Sequence, residues 1–164
     1  MTDNPAELAY DEMRALGIAY EVMECDPELA DTAVFCDHYG VSLADSVNTI
    51  LVKAKTGGER FAACVLLADS RLDVNRVVRK KLSARRVSFA SAQETRDLTG
   101  MEIGGVTPFG LPNDMPLWID ARVVARDSVI LGGGNRSTKL RVNATDLRLR
   151  PNSEVVDGLA LATG

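Results

Sequence analysis

The chain has 164 residues, 46% of them hydrophobic, which is enough for one self-sufficient core and too few to make two ordinary domains. The formal net charge of −4 argues against a generic nucleic-acid binder, yet residues 1–46 carry eleven acids and one base, while the remainder carries eighteen bases and twelve acids. No apolar run approaches the ~20 residues of a membrane helix, no signal-like organisation opens the chain, and three widely spaced cysteines form no Cys-x-x-Cys pair. The expectation is a cytoplasmic protein with reduced thiols, without a disulfide framework or thiolate metal site.

In chain order, Asn4-Pro5-Ala6-Glu7 supplies a cap, a proline at the first helical position and a glutamate three residues on, and predicts a helix with Ala9, Met13 and Leu16 on one face before Gly17. Tyr20 to Met23 reads as a short strand, Thr32 to Tyr39 as a helix closed by Gly40, and Ser42 to Ser46 as a capped helical turn. Val47 to Ala54 and Phe61 to Ala68 are β-branched apolar runs joined through Thr56-Gly57-Gly58-Glu59, the pattern of an antiparallel hairpin. The second run is apolar throughout, so both its faces should be covered.

Asp73 caps a helix with Val74, Val77, Val78 and Leu82 inward, which leaves Arg76, Arg79 and Lys80 toward solvent as a candidate phosphate-contacting patch. Arg86 to Phe89 reads as a strand, and Ser91 to Glu94 as a capping box opening a helix that ends near Gly100. Pro116 to Asp120, Ser128 to Leu131 and Thr138 to Val142 read as strands, with a helical turn over Ala121 to Arg126; in the last strand Leu140 and Val142 alternate with Lys139 and Arg141. The mixture predicts an α+β fold, a single domain over 1–164 with its core at about 5–150. Its central sheet should be mixed, mostly antiparallel and curled toward a barrel, with helices flanking it.

Two glycine-rich segments stand out, Gly104-Gly105-Val106-Thr107-Pro108-Phe109-Gly110 and Gly132-Gly133-Gly134-Asn135-Arg136. Such loops bring bare backbone N–H groups within reach of a ligand. Neither opens a helix as a dinucleotide fingerprint must, and neither continues into a P-loop Gly-Lys-Ser/Thr. His38 is the sole histidine, which removes multi-histidine metal sites, and its spacing from Cys36 puts the two on different helix faces. Asp120 ends an apolar strand between the glycine loops, where it is either a pocket anion or a helix cap. The basic cluster has no aromatic interleaved with it, so nucleic-acid contact would be to phosphate and shape.

The strand Thr49-Ile50-Leu51-Val52, the Gly104-Gly105-x-x-Pro108-x-Gly110 loop, the strand ending at Ile119-Asp120 and the Gly132-Gly133-Gly134-x-Arg136 loop, in that order, resemble the YbaK family. These are free-standing relatives of the editing domain inserted in bacterial prolyl-tRNA synthetases, and the resemblance runs from about residue 5 to 150. It implies an aminoacyl-tRNA deacylase acting in trans on a tRNA charged with the wrong small amino acid. It needs neither cofactor nor metal, and a synthetase is a further partner it suggests. Gly104, Gly105, Pro108 and Gly110 would shape the site of the acyl carbonyl, where water attacks with help from the terminal adenosine's own hydroxyl. Asn48, Thr49, Thr107, Asp120, Gly132, Gly133 and Gly134 would contact the aminoacyl end, and Arg76, Arg79 and Lys80 the acceptor stem.

One position departs from the pattern: the family typically has a lysine before the Thr-Leu-Val of the first hairpin strand, and this chain has Asn48. An amide can orient an ester or ribose but carries no charge. Lys53 has the opposite parity along the strand and should face the other side. A non-catalytic module binding an aminoacyl group or a synthetase therefore stands beside the deacylase, and a hydrolase of small esters or adenylates stands behind both.

Overall fold

The computed structural model describes residues 4–163. Helix α1 (Pro5–Ala15) is capped by Asn4, whose side chain accepts from the Ala6 N–H, and it buries Ala6, Ala9 and Met13. Strand β1 (Tyr20–Glu24) leads through a turn at Pro27–Leu29 into α2 (Thr32–Tyr39). After a 3₁₀ turn at Leu43–Asp45 come the hairpin strands β2 (Val47–Ala54) and β3 (Arg60–Leu67), then β4 (Ser70–Leu72). The basic segment starts as a π-helical turn, Val74–Val78, and runs into α3 (Arg79–Lys81). Next come β5 (Val87–Phe89) and α4 (Ala92–Thr99), whose capping box between Ser91 and Glu94 is present in full. The chain then forms β6 (Leu117–Asp120), α5 (Ala121–Val124), β7 (Ser128–Gly132) and β8 (Thr138–Asn143), then a 3₁₀ segment (Ala144–Leu149), β9 (Ser153–Val156) and β10 (Ala160–Ala162).

The fold is α+β, and its sheets are open. Five strands lie in the order β5-β2-β3-β6-β9, three in the order β1-β8-β7, and β4 pairs with β10. Pairings are antiparallel except β3 with β6 and β6 with β9. A single parallel bridge, Ser46 to Ile130, joins the two larger sheets. The expected barrel-like curl is not confirmed: among the described residues no sheet closes, and the two larger sheets meet at the Ser46–Ile130 bridge, just before β2.

Strand alternation along β2 and β3 separates two of the three cores among the described residues, the third lying around Phe35 and Cys36 of α2. Val47, Leu51, Ala63 and Val65 point to a large core shared with Met13, Phe109, Ile119 and Leu140; Val52, Ala62, Cys64 and Leu66 point to a second core under Val78, Leu82 and Trp118. Both faces of β3 are covered, which explains its unbroken apolar run. Each fully buried Leu or Val contributes about 1.5–3 kcal/mol against exposure, so these two cores hold β2 and β3 as a rigid base.

Candidate active site

The site lies along one edge of β2. Pairing with β5 covers only Val52 to Ala54 and ends where the Ala90 N–H donates to the Leu51 carbonyl at 2.9 Å. Lys55 N–H and Leu51 C=O both point to that edge, so the alternate residue Thr49 also directs its N–H and C=O there, beyond the reach of β5. A cavity of about 460 Å³ opens at this edge. Asn48, Thr49 and Ile50 form one wall, Thr32 and Ala33 of α2 another, Gly104 and Gly132 a third, and Phe89 and Ile103 stand at its mouth, each more than half exposed. The Thr32 hydroxyl donates to Asn48 Oδ1, which turns the amide so that its Nδ2 donors remain without a protein acceptor among the described residues. Thr49 Oγ1 is buried and also unpartnered.

The two glycine bends touch. The Gly134 N–H donates to the Gly105 carbonyl at 2.8 Å, and a Cβ on Gly105 would lie 2.5 Å from the Asn135 backbone. The absence of side chains therefore serves backbone-on-backbone packing as well as any ligand. Most of the loop amides are engaged inside the protein: Gly105 donates to Glu102 O (2.8 Å), Thr107 to Met101 Sδ (3.4 Å), Gly110 to Glu12 Oε1 (3.0 Å) and Gly133 to Thr138 O (3.1 Å). Gly104 and Val106 reach the cavity wall with N–H groups that have no such acceptor among the described residues.

The expected site residues separate accordingly. Asn48, Thr49, Gly104 and Gly132 meet around one cavity. Gly105, Thr107 and Pro108 lie buried outside its wall, while Gly110 packs against the α1 backbone at Ala9 and Gly134 against Ala6. Gly133 is turned toward Thr138. Asp120 is fully buried and does not line the cavity: it shares the parity of Trp118, faces the second core, and its Oδ1 accepts weakly from Ala160 N–H at 3.4 Å. Desolvation pushes its carboxyl above the usual aspartate range, against the pull of the Ala160 N–H and of Arg122. Arg76, Arg79 and Lys80 are exposed on the π turn and α3, away from the cavity wall; Arg76 pairs with Asp73 at 3.3 Å. Lys53 pairs with Glu94 and stays outside the cavity wall.

Sequence reasoning missed three contributors. Lys139 is 4% exposed on the cavity wall, with Nζ donating to Ala30 O at 2.6 Å and Gly104 O at 2.9 Å; burial pushes its ammonium below the ordinary lysine range. Arg136, the end of the second glycine motif, holds the bends to the α2 entry by donating to Pro27 O (3.0 Å), Asp31 Oδ1 (3.0 Å) and Ile103 O. Phe89 puts an exposed aromatic at the cavity mouth, directly after the basic segment. The signal for Lys139 was its place two residues after Ser137 in a strand otherwise inward on the other parity; nothing in that pattern announces that α2 covers it. Among the described residues no group of His, Cys, Asp and Glu could hold a metal ion, and no helix is long and apolar enough to cross a membrane.

An α+β scaffold with paired glycine bends beside a strand-edge cavity defines the class, and comparison gives the family. The chain belongs to the aminoacyl-tRNA editing domain family, the YbaK family, whose profile matches residues 26–149. It is 34% identical over 94 residues to a proline–tRNA ligase of Bacillus licheniformis, a match covering 57% of this chain and 16% of the ligase. It is 25% identical over 127 residues to the uncharacterized protein YwhH of Bacillus subtilis, covering 77% of this chain and 78% of that protein. Among solved structures, the hypothetical protein APE2540 superposes with a TM-score of 0.81 at 27% identity, over 93% of this chain and 98% of the other. A protein described as a proposed trans-editing enzyme for prolyl tRNA synthetase superposes with 0.78 at 20% identity over the full length of both, a likeness of fold.

Proposed function

We propose that this chain hydrolyses the ester of a tRNA charged with the wrong small amino acid, acting in trans. The observation that carries the proposal is the convergence of Asn48, Thr49, Gly104 and Gly132, from separate parts of the chain, on one cavity of about 460 Å³. That volume falls within the range of small-ligand sites and suits an aminoacyl group with part of its ribose. Its apolar floor excludes bulk water while Asn48 and the free edge of β2 supply oriented hydrogen-bonding groups.

In the reaction, a water oxygen attacks the acyl carbon and the ester C–O bond breaks. The ribose oxygen leaves with one proton of the water, the other passes to solvent, and the amino acid departs as carboxylate. The Asn48 amide, fixed by Thr32, orients the acyl or ribose end. Gly104 and Val106 line the cavity with N–H groups that have no protein acceptor among the described residues, and in this reading they donate to the carbonyl oxygen as it becomes an oxyanion. Acceptor-stem phosphates would run along the basic segment: Arg86 precedes Phe89 by three residues, about 10 Å of strand, so the path from phosphate to cavity mouth is short. Exposed Phe89 offers a face on which an unpaired terminal base can stack.

The first substrates to test are tRNAs of the proline family charged with other small amino acids, because a relative of this chain is part of a proline–tRNA ligase. Release of amino acid faster than spontaneous hydrolysis supports the proposal. A specific observation favours a second reading: Asn48 is neutral where the family resemblance has lysine, so a module that binds the aminoacyl end without turnover remains the competing outcome. Saturable binding of charged tRNA without release would establish that one.

A further inference from the structure

Hydrolysis of an acyl ester passes through a tetrahedral oxyanion, and the cavity must present donors to it. The glycine bends supply few, since Gly105, Thr107, Gly110, Gly133 and Gly134 spend their amides on acceptors inside the protein. Beside the neutral Asn48 amide and Thr49 hydroxyl, Lys139 is the cavity-wall side chain with donor capacity to spare among the described residues, and it is the charged one. An ammonium has three N–H groups. Two go to Ala30 O and Gly104 O, at 2.6 and 2.9 Å, and the third has no acceptor among the described residues. Those two carbonyls, from distant parts of the chain, hold Nζ in place over the Phe35 ring, 5.2 Å from its centroid.

Neutral carbonyls are a poor match for a buried cation, which ordinarily has a carboxylate partner. The nearest candidate, Asp31, is bound to Arg136 at 3.0 Å. The charged and titratable groups acting on Lys139 are Arg136 from the second bend, Asp31 at the entry of α2, Cys36 on α2 and Cys25 after β1, and no carboxylate among them bonds it. Lys139 belongs to the cavity wall, so beside the Phe35 ring the remaining partner for its charge would be a substrate oxygen bound there.

We infer that Lys139 is a catalytic residue of the proposed deacylation, donating its third N–H to the acyl carbonyl oxygen and stabilising the oxyanion there, a task for which position 48 offers only a neutral amide. The inference rests on the deacylase reading. Lys139 keeps its proton throughout; the attacking water supplies the proton that leaves on the ribose oxygen, and the products are the amino acid and uncharged tRNA. Because burial lowers its basicity, the lysine loses that proton at a lower pH than an exposed one, and the donor role ends there.

The test compares wild type with Lys139→Met and Lys139→Arg under single turnover on a mischarged tRNA, alongside binding of a non-hydrolysable 3′-aminoacylamido adenosine. Lys139→Met should lower the chemical rate about 10²–10³-fold while analogue affinity changes by less than about tenfold. Wild type should show a rate that falls on the alkaline side, a limb the methionine variant lacks, and Lys139→Arg should recover part of the rate. Methionine-variant turnover equal to wild type overturns the assignment while leaving the deacylase reading intact. So does a rate loss that tracks thermal unfolding with the alkaline limb retained. Absence of wild-type turnover on every charged tRNA overturns both.

Discussion

Gly132 and Val106 stand in direct backbone contact: a Cβ on Gly132 would lie 2.3 Å from the Val106 carbonyl oxygen and 2.9 Å from the Gly105 carbonyl carbon. The two bends can share one cavity wall only because no side chain separates them. Gly132→Ala must push rigid backbone apart, at a cost of about 1–3 kcal/mol. It should lower the urea midpoint accordingly and remove deacylation. Gly17→Ala is the control: nothing lies within 4 Å of its added Cβ, so only the strain of φ +73° remains, about 1–2 kcal/mol, and deacylation should persist. A Gly132→Ala protein with wild-type midpoint and rate would show that the bends are not locked together.

Thr32 and Asn48 act as one unit, the hydroxyl setting the amide's direction. Asn48→Ala and Thr32→Val should each slow deacylation about three- to tenfold, the worth of an oriented neutral hydrogen bond. The double variant should be no slower than the worse single one, since each removes the same orientation. Additive losses in single-turnover rates would separate the two residues.

Asp120 is a buried acid whose folded-state pKa is raised, chiefly by desolvation. The unfolded chain therefore ionises it first as pH rises, and folding loses stability through the carboxylate range instead of gaining it. Asp120→Asn should raise the thermal midpoint at pH 7, by roughly 2–4 °C for each kcal/mol relieved in a chain of this size. The gain should fade below the ordinary aspartate value of about 3.9. Because Asp120 is the last residue of β6, with the parity of Trp118, and is off the cavity wall, the variant should retain deacylation. Loss of rate without loss of stability would return Asp120 to the site.

Arg79 and Lys80 are exposed on α3. If they meet acceptor-stem phosphates, Arg79→Gln with Lys80→Gln should weaken tRNA binding and reduce the slope of log K against log salt by up to about 1.5 to 2, with release from bound substrate unchanged. An unchanged slope in a filter-binding titration would remove this segment from the interface.

The local features of the fold were legible in the sequence, and those made by distant segments were not. The Asn4 cap, the Ser91–Glu94 box, the β2–β3 hairpin and the doubly buried β3 follow from residue pattern alone, and all are present. Strands β9 and β10 were unseen, because Ser153–Val156 and Ala160–Ala162 carry little pattern of their own and become strands by pairing with β6 and β4. Whether the sheets close was hidden for the same reason: Ser46 and Ile130 are far apart in sequence, and only the assembled chain decides how far the two larger sheets run together.

The site was half legible. Asn48, Thr49, Gly104 and Gly132 belong to motifs and meet around one cavity, but a glycine's packing cannot be told from its presence: Gly110 and Gly134 also make room for the α1 backbone and lie off that cavity's wall. Strand parity assigned Lys139 to the face opposite Leu140 correctly, yet that face is roofed by α2, which turns an apparent surface charge into a cavity cation. Arg150 is another basic residue whose burial the sequence does not announce. It is 2% exposed and ties the Pro112 and Met115 carbonyls at 2.8 and 2.6 Å, so its charge belongs to the loop scaffold and not to a basic surface.

Ala33 offers the most direct test that the cavity is where an aminoacyl ester is cleaved, because it lines the cavity from an exposed position on α2 and accepts a large side chain at little cost to folding. Single-turnover release of amino acid from a mischarged tRNA should be well above the spontaneous rate for wild type. For Ala33→Trp it should fall to that rate, with thermal midpoint and uncharged-tRNA binding preserved. Wild-type release from the Ala33→Trp protein, or wild type no faster than spontaneous hydrolysis on every charged tRNA, would contradict the account.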